Sequence, residues 1–347
     1  MVTIKRLLLK RLFPLLFSVL GALVSSGQTI GGATTFNFLK LPHAPLLSAS
    51  GGVNVSYAPD DIALALNNPA SLSSRLDGRA AFDFNAFFAG IKSVHIAGGY
   101  HAPKWQTTFG ASLSYLDYGT IPQTDASGNE QGTFHPKDMV LQVAAARSYL
   151  LRWQYGLGLK FISSSYPPYH SSGIALDFGL LYQDTARLFS FGLVARNMGI
   201  QLSTYAGESE ELPFDLQLGV TKRLAKAPFG FSLTIQQAHR FNTLYNDTLY
   251  NSANNVGAKP NFSRKLFNHL VLATHIYLGK NLEGTLGYNF LRRNELSLGS
   301  SGNGLNGFSA GFAARFRKIE FQYARAYYQR RGAYNQFGIG LNLRDVF

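Results

Sequence analysis

From Arg79 onward, large apolar side chains recur at every second position while their neighbours are Gly, Ser, Asn, Gln or charged, so the chain must make strands that are greasy on one face and polar on the other. Trp153, Tyr155, Leu157, Leu159 and Phe161 form one such face, opposed by Gln154, Gly156, Gly158 and Lys160. Ile174, Leu176, Phe178, Leu180 and Tyr182 repeat it. Fourteen runs of this kind start near Arg79, Ile91, Thr107, Lys137, Arg152, Ser171, Leu188, Pro213, Phe229, His269, Leu282, Asn306, Lys318 and Asn335. An even count of antiparallel strands returns both ends of a closed sheet to one side, as single-chain bacterial outer-membrane barrels require.

The connections sort in the same sense. Every second one is short, near 101–106, 149–151, 184–187, 224–228, 279–281 and 315–317, whereas the intervening ones include the much longer 121–136, 198–212, 238–268 and 291–305. Short periplasmic turns and long outer loops alternate in this way in transmembrane barrels. The charges agree: Asp83, Lys160, Asp177, Arg196, Asp215, Glu283 and Glu320 all fall on the polar register, which predicts a polar lumen. Arg325 dissents, in phase with Phe321, Tyr323 and Tyr327, and calls for either an outer headgroup position or a bulge. A soluble β-sandwich, the competing all-β solution, would leave these apolar faces without a second sheet to cover them. The fold class predicted is an all-β membrane protein, a 14-stranded antiparallel transmembrane barrel over 79–347. Its last strand carries Phe337, Ile339, Leu341 and Leu343 in register and ends at Phe347, a terminal pattern suited to recognition by outer-membrane assembly machinery.

Two segments precede the barrel. Lys5, Arg6, Lys10 and Arg11, the apolar stretch 12–24 and the small residues Ser25 to Gly27 read as a cleaved signal peptide over 1–27, too short in its apolar part for a spanning helix of about 20 residues. An uncleaved anchor is the alternative. Residues 28–78 do not alternate, are apolar and punctuated by Gly and Pro, and include a short helical piece near Ile62 to Leu66. They are expected to form a hatch or plug inside the barrel mouth, with a periplasmic docking segment as the other option.

Composition narrows the chemistry. There is no Cys, which excludes disulfides and thiolate sites, and the eight His show no metal spacing, so no metal or cofactor is expected. The string from Gly302 to Gly307 matches G-x-G-x-x-G but ends a loop and leads into an alternating strand, which is not a dinucleotide site. Asp60 and Asp61 lack the spacing of a calcium loop and suit helix N-capping. No Ser, His and acidic set stands out, and a non-enzymatic protein is expected. The net charge of +13 does not indicate nucleic acid, because Lys and Arg lie at turn positions such as Arg187, Lys222, Lys280 and Arg315. Arg292, Arg293, Arg330 and Arg331 are expected at the outer rim, where guanidinium groups could bind lipopolysaccharide phosphates or an acidic partner.

The string GGVNVSYAPDDIALALNNPASLSS, with Asn67, Asn68, Pro69 and Ala70 at its hatch motif, resembles the N-terminal region of FadL-like barrels. Together with LVARNMGIQL, LPFDLQLGVTKRLAKAPFGFSL, LGYNFLRRNEL and FQYARAYY it is similar to the PorQ family of type IX secretion system barrels, over essentially the whole mature chain. That resemblance implies an integral outer-membrane component of the cell-surface attachment complex. It would anchor a PorZ-like surface protein beside PorU and PorV, which process secreted cargo and attach it to lipopolysaccharide. The alternative is a FadL-like channel for hydrophobic small molecules.

Overall fold

The computed structural model describes residues 34–243, 262–295, 304–327 and 332–345. The expected signal peptide at 1–27, residues 28–33 of the expected hatch, Arg330, Arg331, Phe347 and parts of the outer loops 238–268 and 291–305 lie outside them.

Fourteen strands close into an antiparallel barrel. In chain order they are β1 (Arg79–Ala86), β2 (Lys92–Ala102), β3 (Thr107–Asp117), β6 (Lys137–Tyr149), β7 (Trp153–Tyr166), β8 (Tyr169–Asp184) and β9 (Phe189–Ser203), then β10 (Asp215–Arg223), β11 (Phe229–Ile235), β12 (Leu270–Leu278), β13 (Leu282–Asn289), β14 (Phe308–Phe316), β15 (Ile319–Tyr327) and β16 (Ala333–Asn342). Each starts within two residues of its sequence expectation. β1 pairs with β16 over eight residues from Arg79↔Asn342 to Ala86↔Asn335, which seals the ring. A separate hairpin of β4 (Ile121–Thr124) and β5 (Glu130–Phe134) rises in the first long outer loop. The sequence reading treats that stretch as loop, because almost all of its residues are exposed and nothing imposes alternation.

The outside of the barrel carries the apolar register. Leu157, Leu159, Phe161, Leu176, Leu286, Phe312, Phe321 and Phe337 are exposed on strands whose inward neighbours are buried. Trp105, Tyr149, Trp153 and Phe316 lie exposed at or beside the short-turn ends, the arrangement of an aromatic girdle. Such an exterior is stable in hydrocarbon and untenable in water. Arg325 is exposed on this face with no register slip in β15, so it projects outward near the outer strand end, bonded to Asn335 (3.2 Å).

β9 departs from expectation. It runs to Ser203, whereas the sequence reading begins a loop at Met198. Asn197 (φ 55°) forms a bulge where the β8/β9 register shifts, so Arg196 and Asn197 both point inward. Beyond it the outward residues change from odd to even positions, Met198, Ile200 and Leu202. At the other end of the chain, Leu343 belongs to a 3-10 turn (Leu343–Asp345) rather than to the last strand, and Phe337, Ile339 and Leu341 are its outward residues.

Residues 34–78 lie within the ring. Pro45 opens a one-turn helix α1 (Pro45–Ala49), where a fixed φ and a missing N–H cost nothing. Asp61 caps α2 (Ile62–Ala65) by accepting from the N–H groups of Ala63 (2.8 Å) and Leu64 (3.1 Å). Asn68 caps the 3-10 turn Pro69–Ser71 in the same manner. Leu46, Leu47, Ile62, Leu64, Leu66, Leu72 and Leu76 bury against wall residues reduced to Ala81, Ala97, Ala144, Ala146 and Ala313. Each fully buried Leu or Ile contributes on the order of 1.5–3 kcal/mol.

Candidate functional site in the barrel interior and mouth

Glycine on the inward register decides how closely the N-terminal segment approaches. A Cβ at Gly156 would collide with the backbone of Pro69 and Ala70, one at Gly179 with Asn68, one at Gly192 with Val55 and one at Gly287 with Ala49 and Gly51. These strands therefore present a backbone-smooth inner wall, and the segment's own backbone rests on it.

Polar side chains then tie the two together around the ring. Gln142 donates to the Leu66 carbonyl (3.1 Å), Ser190 to that of Ser56 (2.7 Å), Asn289 to that of Gly51 (3.1 Å), Ser309 to that of Ala49 (2.9 Å) and Gln336 to that of Pro42 (2.7 Å). Gln322 donates to the Asp61 carboxylate (2.9 Å). The contributing strands are β6, β9, β13, β14, β15 and β16, so the segment is held from most of the circumference rather than from one side.

The four Asn-Pro-Ala motif residues are buried at the centre of this arrangement. Asn67 donates to the Asn54 carbonyl (2.8 Å) and accepts from the Arg196 guanidinium. Asn68 donates to the Val55 carbonyl (2.7 Å). Pro69 and Ala70 occupy the space opened by Gly156 and Gly179.

Of the seven charged residues expected to face the lumen, six are buried and Asp215 is half-buried. They fall into two groups. On β7 to β10, Lys160 pairs with Asp177 (2.6 Å) and donates to Asn197 (2.8 Å), while the Asn197 backbone N–H donates to the same carboxylate (2.8 Å). This stitch closes the wall across the bulge. Asp215 accepts from Gln217 (2.6 Å) and the Gln237 N–H (2.7 Å). On β12 to β15, Arg315 bridges Glu320 (2.9 Å) and Glu283 (3.6 Å), and Tyr57 of the N-terminal segment donates to Glu283. Arg315, expected at a turn facing the periplasm, thus turns into the barrel because two buried carboxylates attract it. Asp83 lines a small recess with Asp61 and Glu320.

Ser232, His275 and Glu283 come together here, which their separation in sequence hides. Ser232 Oγ lies 3.1 Å from His275 Nε2, and His275 Nδ1 lies 3.4 Å from Glu283. Ser232 also bonds Thr221 (2.7 Å), all three are buried, and the Tyr57 ring stacks on the imidazole at 3.9 Å. The trio is a packed hydrogen-bond network covered by the N-terminal segment.

The expected outer-rim position of Arg292 is corrected. The chain after β13 forms a short helix α3 (Phe290–Glu295) rather than a loop, and this turns Arg292 inward, buried beside Gly52. Its neighbour Arg293 is half-buried.

Two cavities lie at the outer side of the interior. One of about 320 Å³ is lined by Lys40, Arg196, Asp215, Gln236, Arg292 and Glu295 among others. The second, of about 420 Å³, opens at the mouth between Phe36, Phe38, Tyr118, Tyr166, Tyr169 and Tyr205 above Asp138 and Ser164. Sequence reading misses this mouth pocket; its signal is the tyrosines crowded at the outer ends of β7 and β8 and in the loops beside them. A smaller space of about 60 Å³, which shares Phe38 with it, is lined by Leu39, Leu41, Pro42, Leu116 and Val140 with His43, Lys160 and Arg196. The His43 ring packs at a tilt against that of His95 (centroids 4.3 Å).

No protein-family model matches the sequence, and no curated protein does. Solved structures do. The TodX monoaromatic hydrocarbon channel, as a deltaS2 mutant, aligns over 87% of this chain and 98% of its own length at 13% identity with a TM-score of 0.50. The Pseudomonas putida toluene transporter TodX aligns over 85% and 95% at 13% identity (TM-score 0.49), and a Pseudomonas aeruginosa FadL homologue over 81% and 93% at 10% identity (TM-score 0.40). Likeness at this identity concerns fold alone: the chain shares the closed antiparallel β-barrel architecture of the TodX channel.

Proposed function

We propose that this FadL-like barrel is a plugged, non-enzymatic outer-membrane anchor of the type IX secretion system. Residues 28–78 are its hatch, and its outer loops hold a PorZ-like surface protein of the attachment complex that also contains PorU and PorV. The observation that carries this reading is the attachment of the N-terminal segment around the ring, by hydrogen bonds from six strands and by backbone packing on inward glycines. A segment so held fills the lumen as a fixed part, leaving the long outer loops as the surface open to a partner. The motif strings that resemble the PorQ family supply the rest.

A second reading has its own observation. A small, largely apolar recess shares Phe38 with the mouth pocket, as the binding space of a hydrophobic-molecule channel would, and the structural relatives include a protein described as a monoaromatic hydrocarbon channel. Its volume of about 60 Å³ is small for such cargo.

Affinity isolation of the tagged protein from detergent-solubilised outer membrane separates the two. Anchoring predicts a co-purifying surface protein that is lost when loops 204–214 and 238–268 are replaced by short turns; co-purifying fatty acids or hydrocarbons without such a protein would refute it.

A further inference from the structure

We infer that the mouth pocket is an aromatic cage for an alkylammonium group, the lysine side chain of a protein docked on the outer face. Five rings form a continuous curved wall. Phe38 meets Phe36 edge-on (centroids 6.5 Å, 84°), Phe36 meets Tyr205 (6.4 Å), Tyr205 meets Tyr166 (6.1 Å, 82°) and Tyr166 meets Tyr118 (5.4 Å). The charges in the lining, Asp138 and Glu210, are both acidic, and among the described residues no Lys, Arg or His joins them. In a chain with 32 Lys plus Arg against 19 Asp plus Glu, a pocket of one sign is a local departure.

The floor strengthens the walls. Tyr118 donates to Asp138 Oδ2 (2.6 Å), Tyr166 donates to the same oxygen (3.4 Å), and Ser164 donates to the other oxygen while accepting from Tyr205. A phenol that donates to a carboxylate gains electron density in its ring, and an electron-rich ring face attracts a cation. Tyr118 and Tyr166 are polarised in this way directly, and Tyr205 is linked to the same carboxylate through Ser164. A sugar would also stack on such rings, but two carboxylates without a basic partner favour a positive group over a neutral one.

Position selects the source. The outward residues of β7 and β8 at the level of the pocket are Ser163, Ser165, His170 and Ser172, above the apolar band that ends at Phe161 and Ile174. The cage faces inward at the mouth, behind this polar extension of the wall, where a protein loop can enter and a lipid headgroup outside the barrel cannot. The choice of a protein as source rests on the anchoring reading; the cage itself does not.

The test uses the full chain in a polyoxyethylene detergent, titrated with Nα-acetyl-lysine methylamide and its neutral norleucine counterpart and read by saturation-transfer NMR. The lysine probe should bind saturably and about tenfold more tightly than the norleucine probe. Tyr205→Leu and Glu210→Gln, each verified as folded by heat modifiability, should weaken it several-fold. Equal binding of the two probes, unchanged binding in both variants, or binding of glucose or phosphocholine but not lysine would overturn the assignment. A barrel that binds the lysine probe yet captures no surface protein would refute anchoring and leave the cage standing, and capture without probe binding would do the reverse.

Discussion

The barrel wall has a high flank and a low one. β6 to β9 run for 13, 14, 16 and 15 residues, whereas β10 to β14 run for 9, 7, 9, 8 and 9. About 9–11 residues of tilted strand cross a bilayer, so the low flank is little more than membrane wall and the high flank continues several residues outward. Each flank carries its own buried charge group. The Lys160–Asp177 stitch on the high flank is almost fully shielded, with side chains 4% and 0% exposed. On the low flank the Arg315 side chain is 36% exposed and has two carboxylates to choose from. The contrast teaches that the two networks answer different needs: one closes a wall where the ladder slips, the other neutralises carboxylates beside the N-terminal segment.

The largest effect is expected from breaking the stitch. Lys160→Met leaves Asp177 charged and unpaired in a dry site and should cost about 3–5 kcal/mol, while Lys160→Met combined with Asp177→Leu should recover much of it. Arg315→Met on the low flank should cost only about 1 kcal/mol, since solvent screens it and Tyr57 and His275 still contact Glu283. Urea unfolding in lipid vesicles measures all three; equal costs on the two flanks would erase the distinction.

Next in size is the lipid-face contrast. Leu157→Arg, in the apolar band, should cost about 2–4 kcal/mol, and Ser165→Arg, on the same face of the same strand, about 0–1. Similar losses at both positions would mean that β7 does not emerge from the bilayer.

Smaller still, and alike on both flanks, should be the effect of filling the inner wall. Gly179→Val and Gly287→Val each press a side chain into the N-terminal backbone and should cost about 1–3 kcal/mol. Limited proteolysis should then cut within residues 34–78 while the barrel stays heat-modifiable. A segment as protected as in the wild type would show that its seat does not depend on the glycines.

Strand number, order and facing were legible because lipid imposes a strict parity on each strand, and one parity error, such as a charge at Leu157, is costly. Reading failed where that constraint lapses. At Asn197 the bulge exchanges odd for even positions, so Met198, Ile200 and Leu202 do not continue the earlier pattern even though they face outward. Residues 121–134 pair above the membrane with no apolar face to reveal them. In the interior, Lys160 and Asp177 could be assigned a side but not a partner, and Ser232, His275 and Glu283 could not be associated, because cross-strand neighbours depend on register rather than spacing. Arg292 escapes the reading because helix α3 replaces the loop that its surroundings suggest.

The seam between β1 and β16 has a consequence for biogenesis. Residues 34–78 are made before any strand, yet several of their partners sit on the last four: Asn289, Ser309, Gln322, Tyr334 and Gln336. The bonds from Gln322, Tyr334 and Gln336 cannot form until the final hairpin arrives, so this piece of the polypeptide acts as a mandrel around which the cylinder is finished, and its seating is completed only as the ring is sealed.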